Sequence, residues 1–145
     1  MSIGKLFIQD FRNIASVAAD FHADVNFIIG DNGSGKSSVL EAIFYLAHGK
    51  SFRSSKVDNL LKHGKNTFTV SVKTDKDCQL GVRKGFNSNA SDSEIRIDGE
   101  KQSKFSSLAK NVAVQVITPE SFIVFFGGPK QRRRFIDLGL FHVKH

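Results

Sequence analysis

Two hydrophobic rhythms, a strand-like one and a helix-like one, alternate along the chain. Ile3 to Phe11 and Ile14 to Phe21 are rich in β-branched and aromatic residues around Arg12-Asn13, which predicts two adjacent strands joined by a turn. Val25 to Ile29 is short, nearly all apolar and stopped by Gly30, the pattern of a core strand buried on both faces. From Ser37 onward Val39, Leu40, Ile43, Phe44 and Ala47 recur at three- and four-residue spacing, and His48-Gly49 supplies a stop, which predicts a helix. Ser55 is placed to cap a short helix holding Val57, Leu60 and Leu61. Thr67 to Lys73 and Gln79 to Arg83 alternate with period two around Asp75-Lys76-Asp77, a hairpin pattern. Gly85 to Ser93 is polar and predicts a loop, and Glu94 to Gly99 a short strand ending at an Asp-Gly turn. A short helix over Phe105 to Asn111 and an apolar strand over Val112 to Ile117 follow. Thr118 as cap and Pro119 in a first turn open a further helical piece, and helical spacing resumes over Lys130 to His142 through Phe135, Ile136, Leu138 and Leu140.

Between the predicted core strand and the first helix stands Gly30-Asp31-Asn32-Gly33-Ser34-Gly35-Lys36-Ser37, which fits G-x-x-x-x-G-K-[ST] at every fixed position and in the strand-to-helix context that the motif requires. Such glycine density weakens a helix or strand but lets backbone approach a ligand closely. Consecutive backbone N–H groups can curl round phosphate oxygens, and the positive end of the following helix dipole points at the same anions. Lys36 is expected to reach the β- and γ-phosphates, Ser37 to place its hydroxyl on Mg²⁺, and Ser38 to donate to the α-phosphate. Asp31 and Asn32 serve equally as ligand contacts or as turn formers. A nucleotide phosphate with Mg²⁺ is therefore the expected ligand, and the family resemblance given below makes the nucleotide ATP.

Composition narrows the setting. The 145 residues suit one domain with one core. With 40% hydrophobic and 24% charged residues, and no apolar run near the ~20 residues of a membrane span, the chain is expected to be soluble. No secretory pattern opens it, and the single Cys78 suits a reducing cytosol, so a cytoplasmic location without membrane contact is expected. The net charge of +7 is unevenly spread: three Lys and Arg face five Asp and Glu in residues 1–47, and eighteen face nine in residues 48–145. This asymmetry fits either a polyanion-facing surface or solubility charge. Lys50, Arg53 and Lys56, interleaved with Phe52, are the candidate contacts to duplex DNA phosphates. Arg132-Arg133-Arg134 would spread round a helix, so at least one is expected to pair with a carboxylate such as Asp137. The five histidines show no metal-ligand spacing.

The prevalence of antiparallel strands over β-α-β units points to an ABC-type ATPase lobe. Read together, "DFRNI" from Asp10 to Ile14, "GDNGSGKSSVLEAI" from Gly30 to Ile43, "HGKSFRS" from His48 to Ser54 and "ITPESFIVFFGGPKQRRRFIDLGLFH" from Ile117 to His142 resemble the RecF family of bacterial recombination mediators. The resemblance covers essentially the whole chain and is weakest over Lys65 to Gln102. It implies an α/β P-loop NTPase of the ABC/SMC-head type, with antiparallel strands beside the P-loop core. Residues 1–117 would form the N-terminal lobe, and residues 118–145 the start of a helical arm or lid domain.

It further implies a protein that binds ATP, dimerises around it, binds duplex DNA and single-strand gap junctions, and helps load RecA together with RecO and RecR. Arg12 and Asn13 match the position that such heads place near the nucleotide. Gln115 could feel the metal, although it reads more simply as a strand residue. Neither an apolar strand ending in paired carboxylates nor a serine-glycine signature loop occurs in the chain. The resemblance puts both in a C-terminal part, so the chain is expected to be an N-terminal portion, incomplete at its C-terminal end. On its own it should bind nucleotide weakly and not hydrolyse it, with weak ATPase activity confined to the full-length dimer. The alternatives are another SMC-like or ABC-type head, of a DNA-associated nuclease or chromosome-maintenance ATPase, and a non-enzymatic interaction fragment with a vestigial loop.

Overall fold

In a computed structural model of the chain, residues 2–87 and 90–118 are described, together with 128–130, 133, 136, 137 and 140. Six strands form one antiparallel sheet: β1 (Ile3–Phe11), β2 (Ile14–Asp20), β3 (Thr67–Thr74), β4 (Gln79–Asn87), β5 (Ala90–Ile97) and β6 (Glu100–Gln102). Their spatial order is β2-β1-β3-β4-β5-β6. Among the described residues, helix α1 (Lys36–His48), the short α2 (Phe105–Ala109) and a 3₁₀ turn over Val57–Leu60 accompany the sheet.

The period-two pattern lines apolar residues up in rows across the sheet. Leu6 faces Val72, which faces Leu80, and Ile8, Val70, Val82 and Ile95 form the next row. These side chains are buried, whereas Lys5, Gln9, Lys73 and Arg83 on the opposite face are polar. Left-handed backbone at Asp10 (φ 54°) breaks the alternation, so that Phe11 joins the buried face. Helix α1 lays Ala42, Tyr45 and Leu46 on this face. Phe68 packs edge-on against both Phe11 and Tyr45, at centroid distances of 5.1 and 5.2 Å. Burial pushes the Tyr45 phenol up to about 12, so it stays neutral at physiological pH.

Helix α1 ends at Gly49, whose left-handed backbone (φ 66°) lets its N–H reach the Tyr45 carbonyl at 2.8 Å. A Cβ at Gly49 would lie 2.7 Å from the Phe105 ring, so glycine also permits the close approach of α2.

Both hairpins, the antiparallel character, α1 and α2 agree with expectation; four other expectations do not. Val25 to Ile29 is not a buried strand: it has no regular structure, and Val25, Phe27 and Ile29 are 63, 84 and 89% exposed. Val112 to Ile117, with Gln115, is likewise not a strand, and Ile117 is 85% exposed. A strand needs a hydrogen-bonded neighbour, and the six paired strands leave these segments none among the described residues. Gly85 to Ser93 is no plain loop, because β4 runs on to Asn87 and β5 starts at Ala90. The 3₁₀ turn has Lys56 rather than Ser55 at its N-cap, with Ser54 Oγ accepting from the Lys56 N–H at 3.2 Å.

Of the predicted arm, most of residues 119–145 lie outside the described residues, Arg132, Arg134 and the helix opening at Pro119 among them. Lys130, Arg133, Ile136, Asp137 and Leu140 are helical.

Candidate functional site

The β1–β2 turn and the glycine loop meet at the start of α1. Gly35 caps the helix in left-handed conformation (φ 103°), and a Cβ there would press on Asn13 and Ile14 at 3.4–3.5 Å. Asn13 clamps the loop from the turn: its Nδ2 donates to the Gly33 carbonyl and its Oδ1 accepts from Ser38 Oγ, both at 2.8 Å. Lys36 Nζ donates to the carbonyls of Gly30 and Asp31 at 2.6 and 2.7 Å, tying the ammonium to the loop that it closes. The N–H of Ser34 returns to the Asp31 carbonyl at 3.2 Å, so Asp31 acts as a turn former.

A cavity of about 700 Å³ opens beside this loop, within the range of small-molecule sites. Asn32, Gly33, Gly35, Lys36, Ser37 and Ser38 line one side, and Arg12, Asn13 and Arg53 another. The segment after the 3₁₀ turn supplies the rest through Asn59, Leu61, Lys62 and His63. That segment is held by backbone bonds to the end of β1, from the Arg12 N–H to the Leu60 carbonyl at 2.7 Å and from the Lys62 N–H to the Asp10 carbonyl at 3.0 Å. Lys62 Nζ then reaches the Asn13 carbonyl at 3.3 Å. Four cationic residues, Arg12, Lys36, Arg53 and Lys62, thus line one cavity at the N-terminus of a helix, an arrangement suited to a polyanion.

Behind the wall lies Glu41, fully buried on α1. Arg12 grips its carboxylate through Nε at 3.0 Å and a terminal nitrogen at 2.6 Å. Ser51 Oγ donates at 2.5 Å, and Arg53 approaches at 3.5 Å. Ser51 Oγ in turn accepts the N–H groups of Arg53 and Ser54 at 2.9 Å each, which shapes the loop after α1.

The expected residues divide accordingly. Gly33, Gly35, Lys36, Ser37, Ser38, Asn32, Arg12 and Asn13 converge on the cavity, whereas Gly30, Asp31 and Ser34 support the loop from outside its wall. Ser38 is buried with its hydroxyl committed to Asn13. Ser37 is exposed and lines the cavity. Of the three DNA candidates, Arg53 turns to Glu41 and the cavity, while Lys50 and Lys56 are exposed away from it. Glu41, Ser51, Lys62 and His63 were not among the expected site residues. Their signal was faint: one acid amid the apolar positions of a helix, and a serine two residues before an arginine. Cys78 is half-buried, and burial with Asp98 beside it raises its thiol, which leaves it a poor nucleophile.

Residues 2–128 match the model of the RecF/RecN/SMC N-terminal domain. The chain is 56% identical over 145 residues to the DNA replication and repair protein RecF of Colwellia psychrerythraea, and 45% identical over 148 residues to that of Pseudoalteromonas translucida. Each alignment covers 100% of this chain, and it spans 38 and 40%, respectively, of those relatives' length. The solved structure of the recombination mediator protein RecF with ATP, in the RecFOR pathway, superposes with a TM-score of 0.76 at 29% identity, over 93% of this chain and 38% of that one. Its counterpart named RecF-ATPrS gives 0.79 at 28% identity, over 97 and 38%. The fold is thus that of the ABC-type RecF head, as the resemblance implied. The chain belongs to the RecF/RecN/SMC N-terminal domain family.

Proposed function

We propose that this protein binds ATP at the glycine loop and uses it to control DNA binding in recombinational repair and replication. The observation that carries the reading is the cationic cavity at the start of α1, with Asn13 clamping the loop and Lys36 closing it. The donor set fits a nucleoside triphosphate. The first N–H groups of a helix lack intrahelical partners, and here they lie beside Lys36, Arg12 and Lys62. The RecF structure with ATP supports the choice of nucleotide. Mg²⁺ would be held by Ser37 together with the phosphates, which suits an ion that keeps few protein ligands. The residues lining the cavity would hold, orient and neutralise the triphosphate, and ATP bound there would support a head-to-head homodimer.

Lys50 and Lys56 are assigned to duplex backbone phosphates, with Arg53 shared between that surface and the cavity. RecO and RecR are the proposed partners in loading RecA at single-strand gaps, and the cytoplasm is the proposed location. The relatives named for replication and repair support this assignment. Residues 118–145 would begin the arm domain.

Titration of ATP into the full-length protein, with and without Mg²⁺, tests the nucleotide reading. Saturable binding that Mg²⁺ tightens is expected, and absence of binding would overturn it.

A further inference from the structure

We infer that Glu41 is a positioning residue of the nucleotide site, acting through the Arg12 guanidinium; this rests on the ATP reading above. A carboxylate fully buried on a core-facing helix is a poor stabiliser, since an apolar residue of similar volume often serves as well. Its surroundings suggest another use. Two guanidiniums and a hydroxyl converge on it, and both arginines also line the cavity beside the glycine loop.

The two arginines are held differently. Arg12 donates two bonds to opposite carboxylate oxygens, at 3.0 and 2.6 Å, and its side chain is 21% exposed. Arg53 makes one long approach at 3.5 Å and is 48% exposed. A planar fork bound through two N–H groups along one edge has its plane fixed, so Glu41 sets the direction in which Arg12 presents its remaining N–H groups. Arg12 also sits at φ 54°, left-handed backbone that a residue with a side chain adopts only when its surroundings enforce it. Asn13, next in the chain, carries the clamp on Gly33 and Ser38. Glu41 therefore fixes one residue of the turn whose other residue fixes the loop. Through Ser51 it also anchors the N–H groups of Arg53 and Ser54, which gives "HGKSFRS" a physical role.

Charge and position make opposite predictions. Glu41→Gln removes a negative charge beside a polyanion site, so electrostatics alone would tighten ATP binding. A positioning role predicts weaker binding by about tenfold, and little further loss when the change is made in an Arg12→Ala background. The experiment is a double-mutant cycle on the full-length protein, reading ATP affinity and thermal midpoint for wild type, Glu41→Gln, Arg12→Ala and the double variant. A merely structural role would lower the midpoint and weaken ATP equally in both backgrounds, which overturns the inference. So does Glu41→Gln affinity equal to or tighter than wild type. Should Glu41→Gln not fold, Arg12→Lys decides: it keeps the charge and loses the fork, so its affinity should fall nearly as far as that of Arg12→Ala. Retention within about twofold of wild type would overturn the inference. Failure of the wild type to bind ATP would instead strike the nucleotide reading, and this inference with it.

Discussion

Lys36→Ala is expected to weaken ATP binding by the full-length protein by roughly 10- to 150-fold, with little change in thermal stability. The ammonium stands at the first residue of α1, tied to two loop carbonyls at 2.6 and 2.7 Å, and it is the positive charge built into the loop itself. Hydrogen bonds to charged groups are worth about 1.5–3 kcal/mol, which converts to that range of affinity. The two carbonyls belong to exposed residues, so water can replace the lost donor, and alanine suits the helix start. Isothermal titration with ATP beside a thermal melt separates the two effects. Unchanged affinity would mean that the loop does not hold the phosphates, as the interaction-fragment alternative requires.

Phe68→Ala should destabilise the folded protein by about 3–5 kcal/mol, the usual range for a fully buried phenylalanine. Phe68 is 1% exposed and packs edge-on against Phe11 and Tyr45, so one ring joins β3, β1 and α1. The site should suffer as well, because Phe11 immediately precedes Arg12 and pairs with Leu61 across an isolated bridge. Denaturant unfolding of wild type and variant measures the effect. A loss under about 1 kcal/mol would show that the interior repacks freely around the missing ring.

Much of this architecture was legible because it is local. The hairpins declare themselves by alternation, and α1 by spacing bounded by a glycine loop and Gly49. Even there the buried side was only partly readable, since Leu40 is 48% exposed while Glu41 is fully buried. The reason is that an acid in an amphipathic pattern reads as solvent-facing, and only its tertiary partners Arg12 and Ser51 show otherwise. Strand composition misled at Val25 to Ile29 and Val112 to Ile117, because apolar β-branched residues describe a preference whereas a strand is a pairing. The converse occurred at Gly85 to Ser93, where polar residues run on as β4 and β5 through backbone pairing without an apolar face to announce them. In the site, the junction of the glycine loop with α1 was legible because it lies in contiguous residues, whereas the strand expected to feed the loop is absent. Asn59 to His63 were not legible, because they reach the cavity through backbone bonds to the end of β1, some fifty residues away in the chain.

Nucleotide control of DNA binding is the central claim, and duplex DNA binding by the full-length protein, with and without ATP and Mg²⁺, tests it most directly. Wild type beside Lys36→Ala should show ATP tightening the complex in the first and not in the second, with steep salt dependence in both. Equal binding in all four conditions would contradict the account, leaving the basic surface to act independently of the glycine loop.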